Sequence, residues 1–389
     1  MDLPTEPPVA PSSGEVSSKL TCRKNMPYVY ATLVTTTLAW PSLTVQWLPE
    51  VRTIDRGQEL ILGTRTDGAA AEYLRIGRLT LPRSEIKSLA SWDPEPATFN
   101  AASTPDECAF TMSQRIDHPG EIHRARYMPQ NPNIIATLGS VGDVAIFDRT
   151  KFANLPCGVI CPTLSLKKHT TGGFGLSWCC TEQGMLASGA NDGLVCIWDL
   201  ESSFRSSLSA LDPIYTLKFH QGPVNDTRWH PFHTKLVASC GDDGKLLLCD
   251  WRSEQIAQVM TLKDPVYSIA FNPRNEFLLA IGTKSGTVAL YDARTMTTVH
   301  TMRSDAPHTD AVNCLEWNPN HPTVLASGSG DKSVSIWDAS LIASESEHKF
   351  RHLCHDAPVA DISWNPAYPM TIASVAEDNT LHVWEPEWL

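Results

Sequence analysis

The sequence predicts an all-β fold, a seven-bladed β-propeller, because one unit recurs along the chain with two marks at a constant spacing. A stretch of small and apolar residues ends six times on an aromatic or apolar residue followed by an acid. These closing pairs are Phe147-Asp148, Trp198-Asp199, Cys249-Asp250, Tyr291-Asp292, Trp337-Asp338 and Trp384-Glu385. An aromatic residue precedes each pair by about 20 residues, at Tyr127, Trp178, Trp229, Phe271, Trp317 and Trp364. The period of roughly 42 to 51 residues is that of a WD repeat, and the alternation of apolar and polar residues between the marks favours short antiparallel strands. One repeat is therefore expected to form one blade.

A seventh blade is expected upstream of these six copies. Residues 43–49, 59–66 and 72–82 have the apolar alternation of three further strands. The Pro- and Ser-rich start of the chain has little to bury and is expected to be a disordered tail. The predicted organisation is a tail over 1–14, a short N-terminal helix over 15–26 and a propeller over 27–389, with a first blade over about 30–110 and six repeats over about 111–389.

Four residue types recur together within the repeats: His, Ser, Asp and Trp. The complete sets are His169, Ser188, Asp192, Trp198; His308, Ser327, Asp331, Trp337; and His355, Ser374, Asp378, Trp384. A His and an Asp together could form a catalytic dyad, but a set repeated in several blades is expected to be a hydrogen-bonded fold device that satisfies buried polar groups. The set is degraded in two repeats. Cys249 replaces the Trp beside His220, Ser239 and Asp243, and the fifth copy has Ile281, Ser285 and Tyr291 without a His.

The composition favours one soluble domain in an intracellular setting. The 389 residues carry a formal net charge of −12, which opposes phosphate binding and favours a basic partner, although an ordinary acidic surface also explains it. The start of the chain has no secretory pattern and no apolar run approaches the roughly 20 residues that span a bilayer. The 11 cysteines lack paired zinc spacing and are expected to be reduced, Cys157 and Cys161 included. No catalytic motif is present, so we expect a non-enzymatic platform without metal or cofactor.

Four segments resemble one particular family. They are residues 25–50 (NMPYVYATLVTTTLAWPSLTVQWLPE), 118–137 (HPGEIHRARYMPQNPNIIAT), 173–178 (GFGLSW) and 374–386 (SVAEDNTLHVWEP). The run RARYMPQNP is not required by the propeller repeat itself and is far more specific than a WD match. The chain resembles the histone-binding WD-repeat proteins, which include the retinoblastoma-associated chaperones and the small subunit of chromatin assembly factor one. The resemblance runs from about Glu15 to the C-terminus, with shortened loops.

The resemblance implies a first binding surface, here called the histone-helix groove. In the family, the N-terminal helix and an acidic loop of the sixth blade hold the first helix of the type-four core histone. The matching positions are Val16, Leu20, Leu341, Glu345, Glu347 and Phe350. Such a groove would be apolar in the middle, with carboxylates meeting histone Arg and Lys at its edge. The acidic insert of the family is shortened here to LIASESEHKF, and the helix could instead be a cap that only packs on the ring.

The resemblance also implies a second surface, here called the channel rim, where family members hold the basic tail of the type-three histone or similar peptides. The matching positions are Trp40, Pro41, Glu121, Arg124, Phe174, Asp242 and Glu377, with Phe174 in place of a Tyr. Acids of the family are lost at Ala39, Gly172, Asn225 and Ala311, and His123, Tyr267 and Asn313 are further substitutions. Because each charge-assisted hydrogen bond contributes about 1.5–3 kcal/mol, we expect tail binding to be weakened or retuned to a less basic ligand. Glu121 and Glu377 could also be ordinary solvated carboxylates.

These observations favour a non-enzymatic histone-binding chaperone or scaffold in the nucleus, with a cytoplasmic pool also compatible. The expected partners are core histones of types three and four and subunits of chromatin assembly, deacetylase, remodelling or Polycomb-type complexes, with no direct nucleic acid or membrane contact. The chain would be a monomeric propeller within a hetero-complex. An alternative is a substrate receptor of a cullin-type ubiquitin ligase, since Asp250-Trp251-Arg252 and Asp292-Ala293-Arg294 fit the adaptor motif of that class. A scaffold that has lost histone binding, a peroxisomal cargo receptor and a ribosome-assembly chaperone are further alternatives.

Overall fold

The computed structural model describes residues 29–49, 57–80, 92–93, 98–99, 110–201, 209–253 and 255–387. The predicted tail over 1–14 and helix over 15–26, with Val16 and Leu20, lie outside these ranges. The described residues form seven sheets of four or five strands and one two-stranded pairing. None of the helices in these ranges is long and apolar enough to cross a membrane.

The strands follow one another blade by blade along the chain. After β1 (Tyr30–Thr37), the first blade contains β2 (Val45–Trp47), β3 (Gly57–Leu62), β4 (Glu72–Thr80) and β7 (Phe110–His118), with the short pair β5 (Trp92–Asp93) and β6 (Thr98–Phe99) in between. The second contains β8 (Ile122–Met128), β9 (Asn131–Gly139), β10 (Val144–Asp148) and β11 (Leu164–Leu166), beside which β15 (Ala210–Leu211) pairs in parallel. The third contains β12 (Gly175–Trp178), β13 (Met185–Gly189), β14 (Val195–Asp199) and β16 (Tyr215–Leu217).

The remaining blades have the same order. The fourth contains β17 (Val224–Trp229), β18 (Leu236–Gly241), β19 (Lys245–Asp250) and β20 (Gln255–Thr261). The fifth contains β21 (Val266–Phe271), β22 (Leu278–Thr283), β23 (Val288–Asp292) and β24 (Thr297–Thr301). The sixth contains β25 (Val312–Trp317), β26 (Val324–Ser329), β27 (Val334–Asp338) and β28 (His348–His352), and the seventh begins with β29 (Val359–Trp364), β30 (Ile372–Ala376) and β31 (Thr380–Pro386). Two short 3-10 helices, Arg149–Lys151 and Ala339–Ser344, follow β10 and β27.

The innermost strands form a closed ring around a channel. Each of β2, β8, β12, β17, β21, β25 and β29 contacts the innermost strand of the next blade, and β29 contacts β2. The predicted seven-bladed propeller is therefore confirmed. The six aromatic marks lie at or next to the ends of innermost strands, and the six closing pairs lie at or next to the ends of third strands.

The ring is closed by the N-terminal strand. Strand β1 pairs antiparallel with β31, from Tyr30 opposite Pro386 to Thr37 opposite Thr380, and becomes the fourth strand of the seventh blade. The structure thus differs from a first blade over about 30–110, because that blade takes its fourth strand from residues 110–118. One blade built from both ends of the chain holds the ring shut, and a propeller needs this closure because each blade buries its faces only against its neighbours.

Apolar side chains from adjacent blades meet between the sheets. Trp47 and Leu60 of the first blade pack with Val375 and Val383 of the seventh, and all four are buried. At about 25 cal/mol per Å² of apolar surface removed from water, these contacts between blades stabilise the ring. The cysteines inside strands belong to this core: Cys196 and Cys249 are buried, and burial raises the pKa of each thiol to about 12.

The His-Ser-Asp-Trp sets form hydrogen-bonded networks within the blades. In the sixth blade, the Ser327 hydroxyl accepts from Trp337 Nε1 at 2.8 Å and bonds His308 Nε2 at 2.8 Å, while His308 Nδ1 lies 2.9 Å from Asp331. Burial disfavours the charged form of Asp331, but its bond to His308 outweighs burial and holds the pKa of Asp331 well below its usual range. The sets that begin at His169 and His355 make equivalent bonds, and the one at His220 keeps its contacts to Ser239 and Asp243 despite Cys249. The networks join the loop, second strand and third strand of a blade.

Replacing Ser327 by Ala is expected to lower the free energy of unfolding by about 1–3 kcal/mol, because Trp337 Nε1 and His308 Nε2 lose their buried partner. Urea unfolding followed by tryptophan fluorescence measures the change. Ser285→Ala is the matched control, since Ser285 is exposed in the blade without a His, and about 0.5 kcal/mol or less is expected there. Equal losses in the two variants would contradict the role assigned to the network.

Candidate functional site

The innermost strands supply the side chains of the channel through their period of two. Residues one position before the aromatic residue near the end of each innermost strand point inward, and six of them line a cavity of about 150 Å³ in the lower part of the channel. They are Gln46, Arg126, Ser177, Arg228, Glu316 and Ser363. Several also accept a hydrogen bond from the backbone of the next blade. Ser363 Oγ accepts from Trp47 N at 3.3 Å, and Glu316 Oε2 accepts from Trp364 N at 2.8 Å.

Residues three positions before these aromatic residues build a buried ion network. Asp361 is 1% exposed, and its carboxylate lies 2.7 Å from Arg124 Nη1 and 3.0 Å from Arg126 Nη2. Burial disfavours its charge, but the two guanidinium groups outweigh burial and hold the pKa of Asp361 below its usual value. Val45 N also donates to it, at 2.9 Å. The network lies between the lower cavity, which Arg126 and Asp361 line, and an upper cavity, which Arg124 lines.

The upper cavity has a volume of about 600 Å³ and corresponds to the predicted channel rim. Five of the seven predicted rim residues line it: Glu121, Arg124, Phe174, Asp242 and Glu377. Arg124 forms part of its floor, because its guanidinium is directed to Asp361 and donates through Nε to the Phe174 carbonyl at 3.2 Å. Trp40 and Pro41 are not among its lining residues. Their carbonyl oxygens accept from Arg75 Nη2 at 3.2 Å and from Arg65 N at 3.1 Å.

The substituted positions make this rim less acidic and partly aromatic. Asn225 occupies one of them and donates to Asp242 at 2.9 Å and to the Val266 carbonyl at 3.0 Å. His123 and Phe174 stack with their ring centroids 4.7 Å apart, and burial lowers the pKa of His123. At Gly172, a Cβ would lie 2.4 Å from a backbone oxygen, so the backbone itself excludes an acidic side chain there.

Sequence reasoning missed Arg65, which also lines the rim. Its Nη1 lies 3.3 Å from Glu377 Oε1 and its Nε 3.2 Å from Asp67 Oδ1. The signal for it was a charged residue near the end of the predicted strand over 59–66, where the chain turns at the rim. Asp361 was also missed. Its signal was an acid three positions before Trp364, the register in which Arg124 precedes Tyr127.

The structure differs from the predicted histone-helix groove at two positions. Glu347 is 0% exposed, and its Oε1 accepts from Arg303 N at 2.9 Å and bonds His300 Nε2 at 3.0 Å. Phe350 is buried, with ring centroids 5.2 Å from Tyr30 and 5.5 Å from Trp384. Both side chains hold the sixth blade to its neighbours and do not face a ligand.

Leu341 and Glu345 remain at the surface of that predicted groove. Leu341 lies half-buried on the 3-10 helix Ala339–Ser344. Glu345 ends this helix with a positive φ of 51° and forms an exposed ion pair with Arg303, whose Nη1 lies 3.0 Å from its Oε1. The other half of the groove, with Val16 and Leu20, lies outside the described residues.

Three buried histidines lie close enough to be compared with a metal site. The ligand atoms of His352, His355 and His382 all lie within 4.8 Å of one another. Their ring nitrogens are already engaged: His352 bonds the Tyr30 hydroxyl at 2.8 Å and His382 Nδ1 at 3.0 Å, and His355 bonds two hydroxyls, including that of Thr380. His355 and His382 also stack face to face, with centroids 3.9 Å apart. This arrangement fits a hydrogen-bonded closure of the seventh blade better than metal coordination.

The arginines of the two predicted ubiquitin-ligase motifs make contacts within the chain. Arg294 forms a bidentate pair with Asp292, at 2.7 and 3.1 Å, and lies over the Phe277 ring. Arg252 lies over the Trp251 ring and 3.6 Å from Glu182 Oε2. These contacts account for both motifs without an adaptor.

Seven four-stranded blades and the repeated His-Ser-Asp-Trp networks define a WD-repeat propeller. The WD-domain G-beta repeat model matches residues 161–199, 211–250, 256–292, 297–338 and 346–385. A second family model, which describes the histone-binding protein RBBP4 or its counterpart in the CAF1 complex, matches residues 17–83. The chain belongs to this family of WD-repeat histone-binding proteins, as the predicted resemblance indicated.

Three curated relatives carry the name histone acetyltransferase type B subunit 2. The Candida glabrata protein is 34% identical over 330 residues, which cover 83% of this chain and 74% of the relative. The Schizosaccharomyces pombe protein is 41% identical over 236 residues, covering 59% and 54% of the two chains. The Aspergillus oryzae protein is 38% identical over 244 residues, covering 60% and 56%. The chain thus spans little more than half the length of the last two relatives.

Glu316 makes the stability of the channel depend on pH. Burial raises the pKa of Glu316 from 4.5 to about 7, although the Trp364 N–H and the charges of Arg126 and Arg228 oppose this rise. The folded state therefore binds more protons than the unfolded state between these two values, so this carboxyl group lowers stability as pH rises through them.

The variant Glu316→Gln is expected to gain stability relative to the parent as pH rises from about 5 to 8, by up to about 3 kcal/mol at 1.4 kcal/mol per pKa unit. The Gln oxygen can still accept from Trp364 N. Urea unfolding of both proteins at several pH values measures the difference. Asp242→Gln, at an exposed rim carboxylate, is the control. A stability difference that does not change with pH would show that Glu316 titrates normally.

Proposed function

We propose that this chain is a non-enzymatic histone-binding subunit of chromatin complexes. The observation that carries the proposal is the match of residues 17–83 to the histone-binding family model, in addition to the propeller repeats. The relatives named as subunits of a type B histone acetyltransferase support a role beside a catalytic partner. In this role the propeller would shield a basic histone and present it to an enzyme or assembly factor in the nucleus.

The charge of the chain supports a basic ligand. A formal net charge of −12 raises the local concentration of cationic partners and opposes direct binding of nucleic acid phosphates. The channel rim offers Glu121, Asp242 and Glu377 around a cavity of about 600 Å³. A tail of the type-three histone, extended across this face, is the ligand we propose for the rim.

The proposed second contact is the first helix of the type-four histone, held by residues near the N-terminus and by the sixth-blade loop. Of the described residues, Leu341 supplies an apolar contact and Glu345 a carboxylate that can exchange Arg303 for a histone Arg or Lys. Exposed ion pairs contribute about 0–1 kcal/mol, so this exchange costs little. The complex to which the protein belongs, whether for assembly, deacetylation, remodelling or Polycomb-type methylation, follows from partners that dock elsewhere on the ring.

Titration with a peptide of the first helix of the type-four histone, at physiological salt, tests this contact against a charge-matched scramble. We expect micromolar or tighter binding of the true helix only. Leu341→Ala is expected to weaken it by about 1 kcal/mol or more, because an apolar anchor at the centre of a groove contributes most. Fluorescence anisotropy of a labelled peptide measures both effects.

Leu353→Ala is the matched control, since Leu353 is 48% exposed and follows the opposite end of β28 from the loop. It is expected to bind the peptide as the parent does. If the parent binds helix and scramble equally, or if both leucine variants lose the same affinity, the proposed groove is wrong.

A further inference from the structure

Arg65 places a positive charge inside the rim that is proposed to receive a positive ligand. Its guanidinium Nη1 lies 3.3 Å from Glu377 Oε1, and the side chain is 32% exposed. Both residues line the cavity of about 600 Å³. The resident guanidinium therefore occupies the site at Glu377 where a peptide arginine would bind.

The backbone around Arg65 is fixed by buried contacts. Arg65 N donates to the Pro41 carbonyl at 3.1 Å, which ties it to the segment that follows the closing strand β1. The next residue, Thr66, donates through N and Oγ1 to the buried carboxylate of Glu72, at 2.8 and 2.6 Å. Asp67 follows with a positive φ of 49° and accepts from Arg65 Nε at 3.2 Å. The side chain is thus held toward the rim from both sides.

Three carboxylates act on this one guanidinium. Burial lowers the pKa of Arg65, but the charges of Glu377, Asp67 and Glu121 outweigh burial and raise it. Two of these acids, Glu377 and Glu121, are rim residues. The third rim acid, Asp242, lies with Asn225 and is not among the groups that raise the pKa of Arg65. The rim is therefore divided into a neutralised side at Glu377 and Glu121 and an acidic side at Asp242.

We propose that Arg65 is a specificity-determining residue of the channel rim, a built-in cation that competes with the basic side chains of a bound peptide. This inference rests on the proposed function of the rim. A peptide with one cationic residue is directed to the side of Asp242, and a second cationic residue gains little because Arg65 repels it and already pairs with Glu377. Discrimination of this kind, by a like charge built into the site, selects for sparsely charged ligands.

The probes are the unmodified N-terminal tail peptide of the type-three histone and the same peptide with its lysines acetylated. Anisotropy titrations at physiological salt compare the parent with Arg65→Gln, which keeps a polar side chain and removes the charge. Arg65→Gln is expected to bind the unmodified peptide about three- to tenfold more tightly, with little change for the acetylated peptide. Arg65→Lys keeps the charge and is expected to stay within about twofold of the parent.

Two controls assign the gain to the rim. In Arg65→Gln combined with Glu377→Gln, the gain is expected to disappear, because the carboxylate that Arg65 releases is absent and the two effects are coupled. Arg294→Gln removes the same charge from an exposed arginine of the fifth blade outside the cavity and is expected to bind both peptides as the parent does. Equal urea midpoints of parent and Arg65→Gln show that the fold is unchanged.

The outcomes separate the inference from the proposed function. If the parent binds the tail peptide and Arg65→Gln binds it no more tightly, the rim is a peptide site and the role of Arg65 is wrong. If neither protein binds, both the proposed rim function and the role of Arg65 fail. If the gain persists without Glu377, or Arg294→Gln reproduces it, the effect is one of overall charge and the inference is overturned.

Discussion

The pairing of β1 with β31 is the constraint on which the other contacts of this protein depend. Each blade hides its apolar faces only against its neighbours, so an open ring would expose the faces of two blades and the free edge of β31. Closure buries the cluster between the first and seventh blades, including Trp47 and Val383. It also brings the segment after β1 to the rim, where the Pro41 carbonyl holds the backbone of Arg65. The ring and its candidate site are therefore set by the same closing strand.

The second constraint lies inside the channel. Asp361, Arg124 and Arg126 are buried together, and an ion buried without partners would cost several kcal/mol. Their mutual satisfaction keeps the network in place between the upper and lower cavities. A ligand at the rim consequently lies across one face of the ring and does not pass through it. This geometry suits an extended peptide tail whose side chains, and not its backbone, reach into the cavity.

The repeated marks were sufficient to predict the fold, because each aromatic residue and closing acid occupies an equivalent place in its blade. The His-Ser-Asp-Trp sets were readable for the same reason. Repetition gives no information on single-copy contacts, and the site depends on those. Glu347 looks like a surface acid within ESEHK, yet His300 and Arg303, more than 40 residues earlier in sequence, bury its carboxylate. The fourth strand of the seventh blade could not be assigned from local patterns either, because its partner lies at the other end of the chain.

Arg65 shows the same limit from the side of function. A resemblance to a family directs attention to matching positions, and five predicted rim residues do line one cavity. It gives no signal for a residue that opposes the expected ligand, because such a residue matches nothing in the binding pattern. The two proposed surfaces share this feature: Arg65 pairs with Glu377 at the rim, and Arg303 pairs with Glu345 at the sixth-blade loop.

Resident pairs of this kind change selectivity more than they block binding. Both are exposed, and exposed pairs contribute about 0–1 kcal/mol, so a ligand cation can replace the resident arginine at small cost. The replacement nevertheless leaves a displaced positive charge close to the ligand. The net charge of −12 attracts basic partners at long range, while the two arginines penalise dense positive charge at contact. The combination favours a ligand that is basic overall but presents only isolated cationic side chains to each surface.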